Sequence, residues 1–463
     1  MISQGKNYNH LTHHNYTRGI WRILEYNINH MKTFLAILTF YYALLSIVPF
    51  LRFKDRSIGI LLWVPKLFAG ALSPFIGIIC GLGAVLGLTR RNWKLAGAGI
   101  LGAGLAAKFI ADIPASQDQF ETAFGPDWQE RIPTSLQPFL LPRRWSLLNK
   151  APGDIKLQRN VVFGKNPKTG KVLLADLWQP QPGTPHTSLG VIYAHGSGWR
   201  VGDKDLGTRT FFKRLAGQGH VVLDIAYTLW PQADIPTMVT EVNQAVLWMK
   251  ENSAAYGVNP ECIILMGGSA GGHLALMAAY TPNHPAFLPS ADAGDTSVRG
   301  VVAFYPAVDF LSILSQAKEN LDSSNSLIDK TANTMLARIF MFHTEDLVGD
   351  DNRIMDPLER HFAEMVGGDP DEILETCRLL SPIQHVDPQC PPTLLLQGSD
   401  DSLAQAQDVR RLQRELQTAD VPVVMVEFPH TEHAFDLLLP QISPVAQAAT
   451  YDVERFLALL VCA

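Results

Sequence analysis

The sequence predicts an α/β domain, a mostly parallel sheet flanked by helices and carrying a helical cap insertion, preceded by a helical transmembrane region. Three observations predict it. Charge nearly vanishes in three stretches between Thr33 and Ile113, and returns to ordinary density afterwards. From Ile155 onward, short and nearly continuous apolar runs alternate with helical stretches, as strands buried on both faces do. One of these runs, Cys262 to Met266, breaks into Gly267-Gly-Ser269-Ala-Gly271 and then into an apolar helical pattern through Leu274, Leu276 and Met277.

At 463 residues the chain exceeds one ordinary domain, so a membrane portion followed by a large globular domain is expected. A formal net charge of -6, with no basic stripe or stacking motif, argues against nucleic acid as a partner. The five cysteines (Cys80, Cys262, Cys377, Cys390, Cys462) are odd in number and lack metal spacing. Neither a disulfide framework nor a zinc site is expected, and Cys80 and Cys262 read as core residues.

Taken in order, residues 1–32 form a polar N-terminal tail in which His10, His13 and His14 have no acidic or cysteine partner nearby. Residues 33–113 hold the transmembrane helices. The first, Thr33 to Phe50, is just long enough for the roughly 20 residues a bilayer requires, and lies too far from the N-terminus for an ordinary signal peptide. The second region, Ile58 to Leu88, is interrupted by Pro65, Lys66 and Pro74, so its spanning part is read as Leu67 to Leu88 with an interfacial lead-in. The third, Leu95 to Ile113, is rich in Gly and Ala. Small residues four apart (Gly77 and Gly81, Gly83 and Gly87, Ala98 and Gly102) favour close packing of these spans. Basic residues are balanced across the first span, and Arg90, Arg91 and Lys94 break the tie. With three spans they place the N-terminus inside and the following domain on the extracytoplasmic side. The expected location is therefore integral to a membrane, multi-pass, with the lipid bilayer as partner.

Residues 114–150, with Trp128, Arg143, Arg144 and Trp145, suit a juxtamembrane linker or a segment packed on the domain. The domain itself is expected over 151–463. Leu157 to Phe163 and Val172 to Trp178 flank a turn at Asn166, Pro167 and Gly170 and open it as a hairpin. Strands follow at Gly190 to Ala194, Val221 to Ile225, Cys262 to Met266, Val298 to Phe304, Thr393 to Leu396 and Val423 to Phe428. Helices are expected near Thr208 to Gly217, Pro236 to Asn252 and Ala404 to Leu416. The long insertion near 309–374, containing Phe340, Met341, Phe342 and Phe362, reads as a helical cap over a binding pocket.

Chemistry gathers at the strand ends. A turn as sharp as Gly267 to Gly271 lifts Ser269 Oγ to the end of the sheet beside a helix N-terminus, which suits a nucleophile next to which negative charge develops. After the Gly190 strand comes His195-Gly196-Ser197-Gly198-Trp199, whose small residues expose backbone N–H groups; those of Ser197, Gly198 and Ala270 are expected to bind an oxyanion. The Thr393 strand ends at Gly398 with two acids, Asp400 and Asp401, either of which can orient a histidine. The Val423 strand ends at a loop with His430 and His433, either of which can take a serine proton. The chain order is Ser, Asp, His.

On these motifs the region from Ile155 to the C-terminus, roughly two thirds of the chain, resembles the α/β-hydrolase superfamily, in the esterase/lipase group related to hormone-sensitive lipase. His195 to Trp199 matches its oxyanion loop, Gly267 to His273 its nucleophile turn, Gly398 to Asp401 its acid turn, and His433 to Phe435 its His-x-Phe ending. Asp224 to Pro231 is similar to its Asp-Tyr-Arg-Leu-Ala-Pro stretch, with Trp230 in place of a small residue. The resemblance implies an α/β-hydrolase fold and makes Ser269 the nucleophile, His433 the general base and acid, and Asp401 the orienting carboxylate. The spacing to Gly398 and Phe435 favours Asp401 and His433 over Asp400 and His430. His195, Gly196, Gly267 and Gly271 support the motifs. Ser197 stands for a glycine of the oxyanion loop, and Gln397 for a histidine not needed for chemistry.

The implied function is a membrane-anchored serine carboxylesterase, lipase-like, that cleaves a small-molecule or lipid ester through an acyl-enzyme, without metal or cofactor. A serine peptidase, an acyltransferase and a non-catalytic scaffold on the same fold are the alternatives. The oligomeric state is left open.

Overall fold

The computed structural model describes residues 8–53, 55–113, 119–147, 153–183, 186–315 and 373–462, together with 328, 331–332, 335 and 365–366. Most of the expected cap, including Phe340, Met341, Phe342 and Phe362, lies outside the described residues. The chain divides into two compact units, one of residues 1–50 and 72–110, the other of residues 51–71 and 111–463.

The first unit is helical. Helix α1 (Tyr8–Leu45) begins well inside the segment expected as a polar tail, so that segment is helical from Tyr8. Helices α3 (Ser73–Thr89) and α4 (Trp93–Asp112) complete the unit. Ala43, Ile76, Cys80 and Ala106 form its core. The close packing depends on missing side chains: a Cβ on Gly87 would strike the backbone of Ala96, and one on Gly99 that of Ala84. Gly81, expected at the contact, meets nothing. Among the described residues, Tyr26–Phe50 and α4 are each long and apolar enough to cross a membrane, and Arg56–Ala71 and Ser73–Thr89 are so only when taken together, which makes two such spans, or three with that pair.

Helix α2 (Arg56–Ala71) corrects the reading of the second span. Pro65 lies inside this helix, and the chain breaks at Leu72 instead, where Pro74 suits the first turn of the next helix. Leu67 to Ala71 therefore belongs to α2, and α2 belongs to the second unit. Its Ile60, Trp63, Lys66 and Ala69 are buried.

In the second unit an eight-stranded sheet runs in the order β1-β2-β4-β3-β5-β6-β7-β8. The strands are β1 (Ile155–Lys165), β2 (Val172–Pro180), β3 (Gly190–Ala194), β4 (Val221–Ala226), β5 (Ile263–Gly268), β6 (Gly300–Phe304), β7 (Thr393–Gly398) and β8 (Val423–Phe428). Strand β2 pairs antiparallel with β1 and β4, and every later pairing is parallel. Strands β3, β5, β6 and β7 are buried throughout, and their mostly apolar or small residues suit a sheet covered on both faces. This is the α/β-hydrolase fold. Its parallel strands all end on one edge, which gathers the loops after β3, β5, β7 and β8.

The covering helices are α5 (Phe120–Phe124), α6 (Arg209–Gly217), α7 (Ile235–Glu251), α8 (Ser253–Tyr256), α9 (Ala270–Tyr280), α10 (Ile373–Leu379), α11 (Ala406–Thr418) and α12 (Pro444–Leu460). Asp234 caps α7 by accepting from Thr237 N at 3.0 Å, and Ser443 caps α12 by accepting from Ala446 N at 3.3 Å. The sequence reading did not anticipate α12, whose polar face is itself buried. Arg144 pairs with its Asp452 at 2.8 Å, and Arg214 with its Glu454. Trp145 Nε1 donates to Ile442 O at 3.2 Å, so the 119–147 segment packs on the domain.

A further correction concerns the cysteines. Cys262, expected as a free core residue, forms a disulfide with Cys462, their Cα atoms 6.1 Å apart. It joins the residue before β5 to the chain end after α12, a pairing that a separation of 200 residues hides from spacing arguments.

Candidate active site

Strand β5 ends at Gly268, and Ser269 takes φ 53°, ψ -119°, a conformation an ordinary side chain adopts only when its surroundings hold it there. Ser269 N donates to Phe304 O at 2.8 Å on β6, and His273 N to Ser269 O at 2.9 Å in the first turn of α9. The glycines permit the turn: a Cβ on Gly271 would enter the carbonyl oxygen of Ala194, and one on Gly267 the backbone of Gly271.

Ser269 Oγ lies 2.9 Å from His433 Nε2, and His433 Nδ1 lies 2.9 Å from Asp401 Oδ2. With the proton on Nδ1 donated to the carboxylate, Nε2 is left to accept from Ser269. Asp401 is held on both oxygens. Oδ1 accepts from Leu403 N at 2.9 Å and Ala404 N at 2.8 Å, while Oδ2 also accepts from Gln397 Nε2 at 3.0 Å. Gln397 thus has a site role that the sequence reading did not give it.

The alternative pair stands apart. His430 Nε2 faces Asp112 Oδ2 at 3.2 Å, and Asp400 faces Lys66 Nζ and Arg52 Nε, each at 3.3 Å.

The loop after β3 faces the serine. Ser197, Gly198 and Trp199 all have positive φ, which turns successive peptide N–H groups to one side. The N–H groups of Ser197, Gly198 and Ala270 donate to no acceptor among the described residues. His195 is buried, its Nδ1 2.9 Å from Gly196 O and its ring stacked on Tyr227 at 4.6 Å. Burial holds its pKa below the usual histidine value, so it serves here as a neutral support. Tyr227 OH donates to His195 O at 2.9 Å.

A cavity of about 400 Å³ opens onto Ser269 and His433. Its walls are apolar: Val201, Leu206, Leu437 and Leu438 from the domain, and Trp63, Val64, Leu67 and Phe68 from α2. A larger hollow of about 1330 Å³ lies elsewhere, between the 128–146 segment and α12. It reaches none of the strand-end residues named above.

The arrangement can activate a hydroxyl, bind the charge that its attack creates and hold an apolar group beside it. The BD-FAE family profile matches residues 175–416, more than half of the chain. The chain belongs to the BD-FAE family. Among curated proteins of Mycobacterium tuberculosis, the probable carboxylic ester hydrolase LipM is 29% identical over 67% of this chain and 64% of its own length. Esterase LipQ is 27% identical over 71% of each. The chain thus spans just under two thirds of LipM. A thermophilic esterase structure from Thermogutta terrifontis, Est2, covers 63% of this chain and 88% of its own at 19% identity, with a TM-score of 0.43.

The BD-FAE match begins after α2 and stops before His433, so two parts of the site lie outside it. Four groups there or nearby escaped the sequence reading. Trp63 Nε1 donates to His433 O at 2.7 Å. Lys66 Nζ reaches both Glu432 Oε1 and Asp400 Oδ2 at 3.3 Å. Glu432, 1% exposed, accepts through Oε2 from Ser402 N and Oγ, both at 3.0 Å; burial pushes its carboxyl up to about 7. Tyr305 OH donates to Asp436, whose pKa burial raises to about 6, and the Tyr305 ring sits 4.5 Å from that of His433. The one available signal was Lys66 itself, a charge inside an apolar run. Read as a span interruption, it gave no hint of its partners.

Proposed function

We propose that this BD-FAE chain is a membrane-anchored serine carboxylesterase. One observation carries the reading: the hydrogen-bonded line from Ser269 through His433 to Asp401, at the floor of an apolar cavity. In the first step Ser269 Oγ attacks the ester carbonyl while His433 Nε2 takes its proton. The carbonyl oxygen becomes an anion facing the Ser197, Gly198 and Ala270 N–H groups. His433 then returns the proton to the leaving alcohol, and an acyl-serine remains. Water, deprotonated by the same nitrogen, attacks the acyl carbon, the bond to Ser269 Oγ breaks, and His433 Nε2 returns the proton to Oγ as the acid leaves. Asp401 keeps the imidazole in the required tautomer and stabilises its charged form.

At about 400 Å³ the cavity lies near the low end of the roughly 300–1,000 Å³ usual for ligand sites, and its apolar wall suits short to medium acyl esters. The names of LipM and LipQ agree with ester cleavage. Anchoring is supported by Tyr26–Phe50 and α4. An extracytoplasmic catalytic domain is supported by the Cys262–Cys462 bridge, since disulfides persist in oxidising compartments.

The test is labelling of the detergent-solubilised chain by a fluorophosphonate, with p-nitrophenyl butyrate hydrolysis followed alongside. Wild type is expected to label and turn over, and Ser269→Ala to do neither, with a loss of at least about 10⁴-fold in kcat. A wild type that neither labels nor hydrolyses any ester refutes the reading.

A further inference from the structure

Helix α2 precedes the sheet domain by about a hundred residues of sequence, yet its polar groups converge on the loops that carry His433 and Asp401. Arg56 Nε donates to Ser402 O at 3.0 Å, the residue after Asp401. Trp63 Nε1 donates to the carbonyl of His433 itself at 2.7 Å. Lys66 Nζ lies 3.3 Å from Glu432, the residue before His433, and 3.3 Å from Asp400, the residue before Asp401. Glu432 closes the circuit by accepting twice from Ser402. Every residue flanking the base and the acid in this set is therefore held, directly or through one partner, by α2.

Stability alone does not account for such a cluster. Lys66 is 6% exposed and Glu432 1%. Taking two charges out of water costs about as much as their attraction returns, and well-packed apolar residues of similar volume usually serve stability as well or better. What a buried ion pair adds is direction: an ammonium between two carboxylates on different loops fixes the distance between them. Here that distance governs whether His433 Nδ1 meets Asp401 and Nε2 meets Ser269 at once.

We propose that Lys66, assisted by Trp63, is a positioning residue for the triad, tying the Asp401 turn to the His433 loop so that catalysis depends on a helix outside the family's matched region. The proposal rests on the serine-esterase reading above. It touches kcat rather than substrate affinity, because Lys66 does not line the cavity. A misplacement on the order of 1 Å in a catalytic group typically costs about 100-fold in rate.

The experiment uses the full chain in detergent, with Lys66→Met, Lys66→Arg and Trp63→Phe variants. Active sites are counted by fluorophosphonate titration, and kcat and KM are measured with p-nitrophenyl butyrate. Lys66→Met is expected to lower kcat per titrated site about 10- to 100-fold with KM within threefold, and to slow fluorophosphonate labelling by a matching factor. Lys66→Arg restores most of kcat, since it keeps two donors between the same carboxylates. Should Lys66→Met fail to fold, Trp63→Phe removes the donor to His433 O and, because Trp63 also lines the cavity, is read by kcat alone, which is expected to fall about 3- to 10-fold whatever KM does. Wild-type kcat per site in whichever of the two variants folds overturns the proposal, as does a change confined to KM. A wild type without esterase activity removes the parent reading instead, and is told apart by that result alone.

Discussion

Glu432 shows how a residue next to the reaction can govern stability by its charge. Its carboxyl is pushed from 4.5 up to about 7 by burial, against the opposing pull of Lys66. An acid whose folded pKa is raised binds its proton more tightly in the native state. Its stabilising contribution is complete below pH 4.5 and is lost as pH rises to about 7. A shift of this size amounts to roughly 3 kcal/mol across that window. Glu432→Gln keeps an oxygen for Ser402 and removes the titration. Its thermal midpoint is expected to fall less between pH 5 and 7 than that of wild type, measured in the same detergent; parallel profiles would assign the pH dependence to other groups. Ser269, His433 and Asp401, which the fold brings into one hydrogen-bonded line, could be picked out from the sequence because each follows a strand in a short motif. Gln397 and Glu432 could not, since what they do depends on partners four and thirty positions away that no local pattern marks.

The bounds and the partner of helix α2 escape the sequence for a similar physical reason. Apolar content, with one lysine and one proline, describes both an interfacial lead-in to a membrane span and a helix that buries one face on a soluble domain. Periodicity reports the apolar face without its partner. The sheet was easier, because strands buried on both faces leave continuous apolar runs, and all eight expected strands form in the expected chain order. Helix α12 went unseen because its buried face is made partly of Asp452 and Glu454, whose partners Arg144 and Arg214 lie far off in sequence. The corrected position of α2 has a consequence for selectivity. Val64, Leu67 and Phe68 supply one wall of the cavity, so bulk added there shortens the space for an acyl chain. Leu67→Trp is expected to lower kcat/KM for p-nitrophenyl octanoate about tenfold or more relative to the acetate, since single methylenes in such pockets are worth about 10- to 200-fold. An unchanged chain-length profile would put the acyl group against another wall.

At the scale of the whole molecule, one covalent bond ties the sheet domain together across 200 residues of sequence. Helix α12 packs against β7 and α2, and Cys462, just past its end, is bonded to Cys262, one residue before the strand that precedes Ser269. The bridge closes a loop of 200 residues that contains β5 to β8 and the hydrogen-bonded Ser269, Asp401 and His433. Constraining so long a loop in the unfolded chain stabilises the fold by about 2–4 kcal/mol in typical cases. Cys462 is the better residue to change, because it is partly exposed whereas Cys262 is fully buried, and a hydroxyl at the buried position would add its own desolvation cost. Cys462→Ser is therefore expected to unfold about 2–4 kcal/mol more easily in denaturant, to lose the mobility difference between reduced and non-reduced gels, and to keep its kcat at low denaturant, since Cys462 lines no wall of the cavity. Equal stability of wild type and variant under oxidising conditions, with no gel shift in wild type, would mean that the two thiols stay reduced. The support that the bridge lends to an extracytoplasmic domain would go with it.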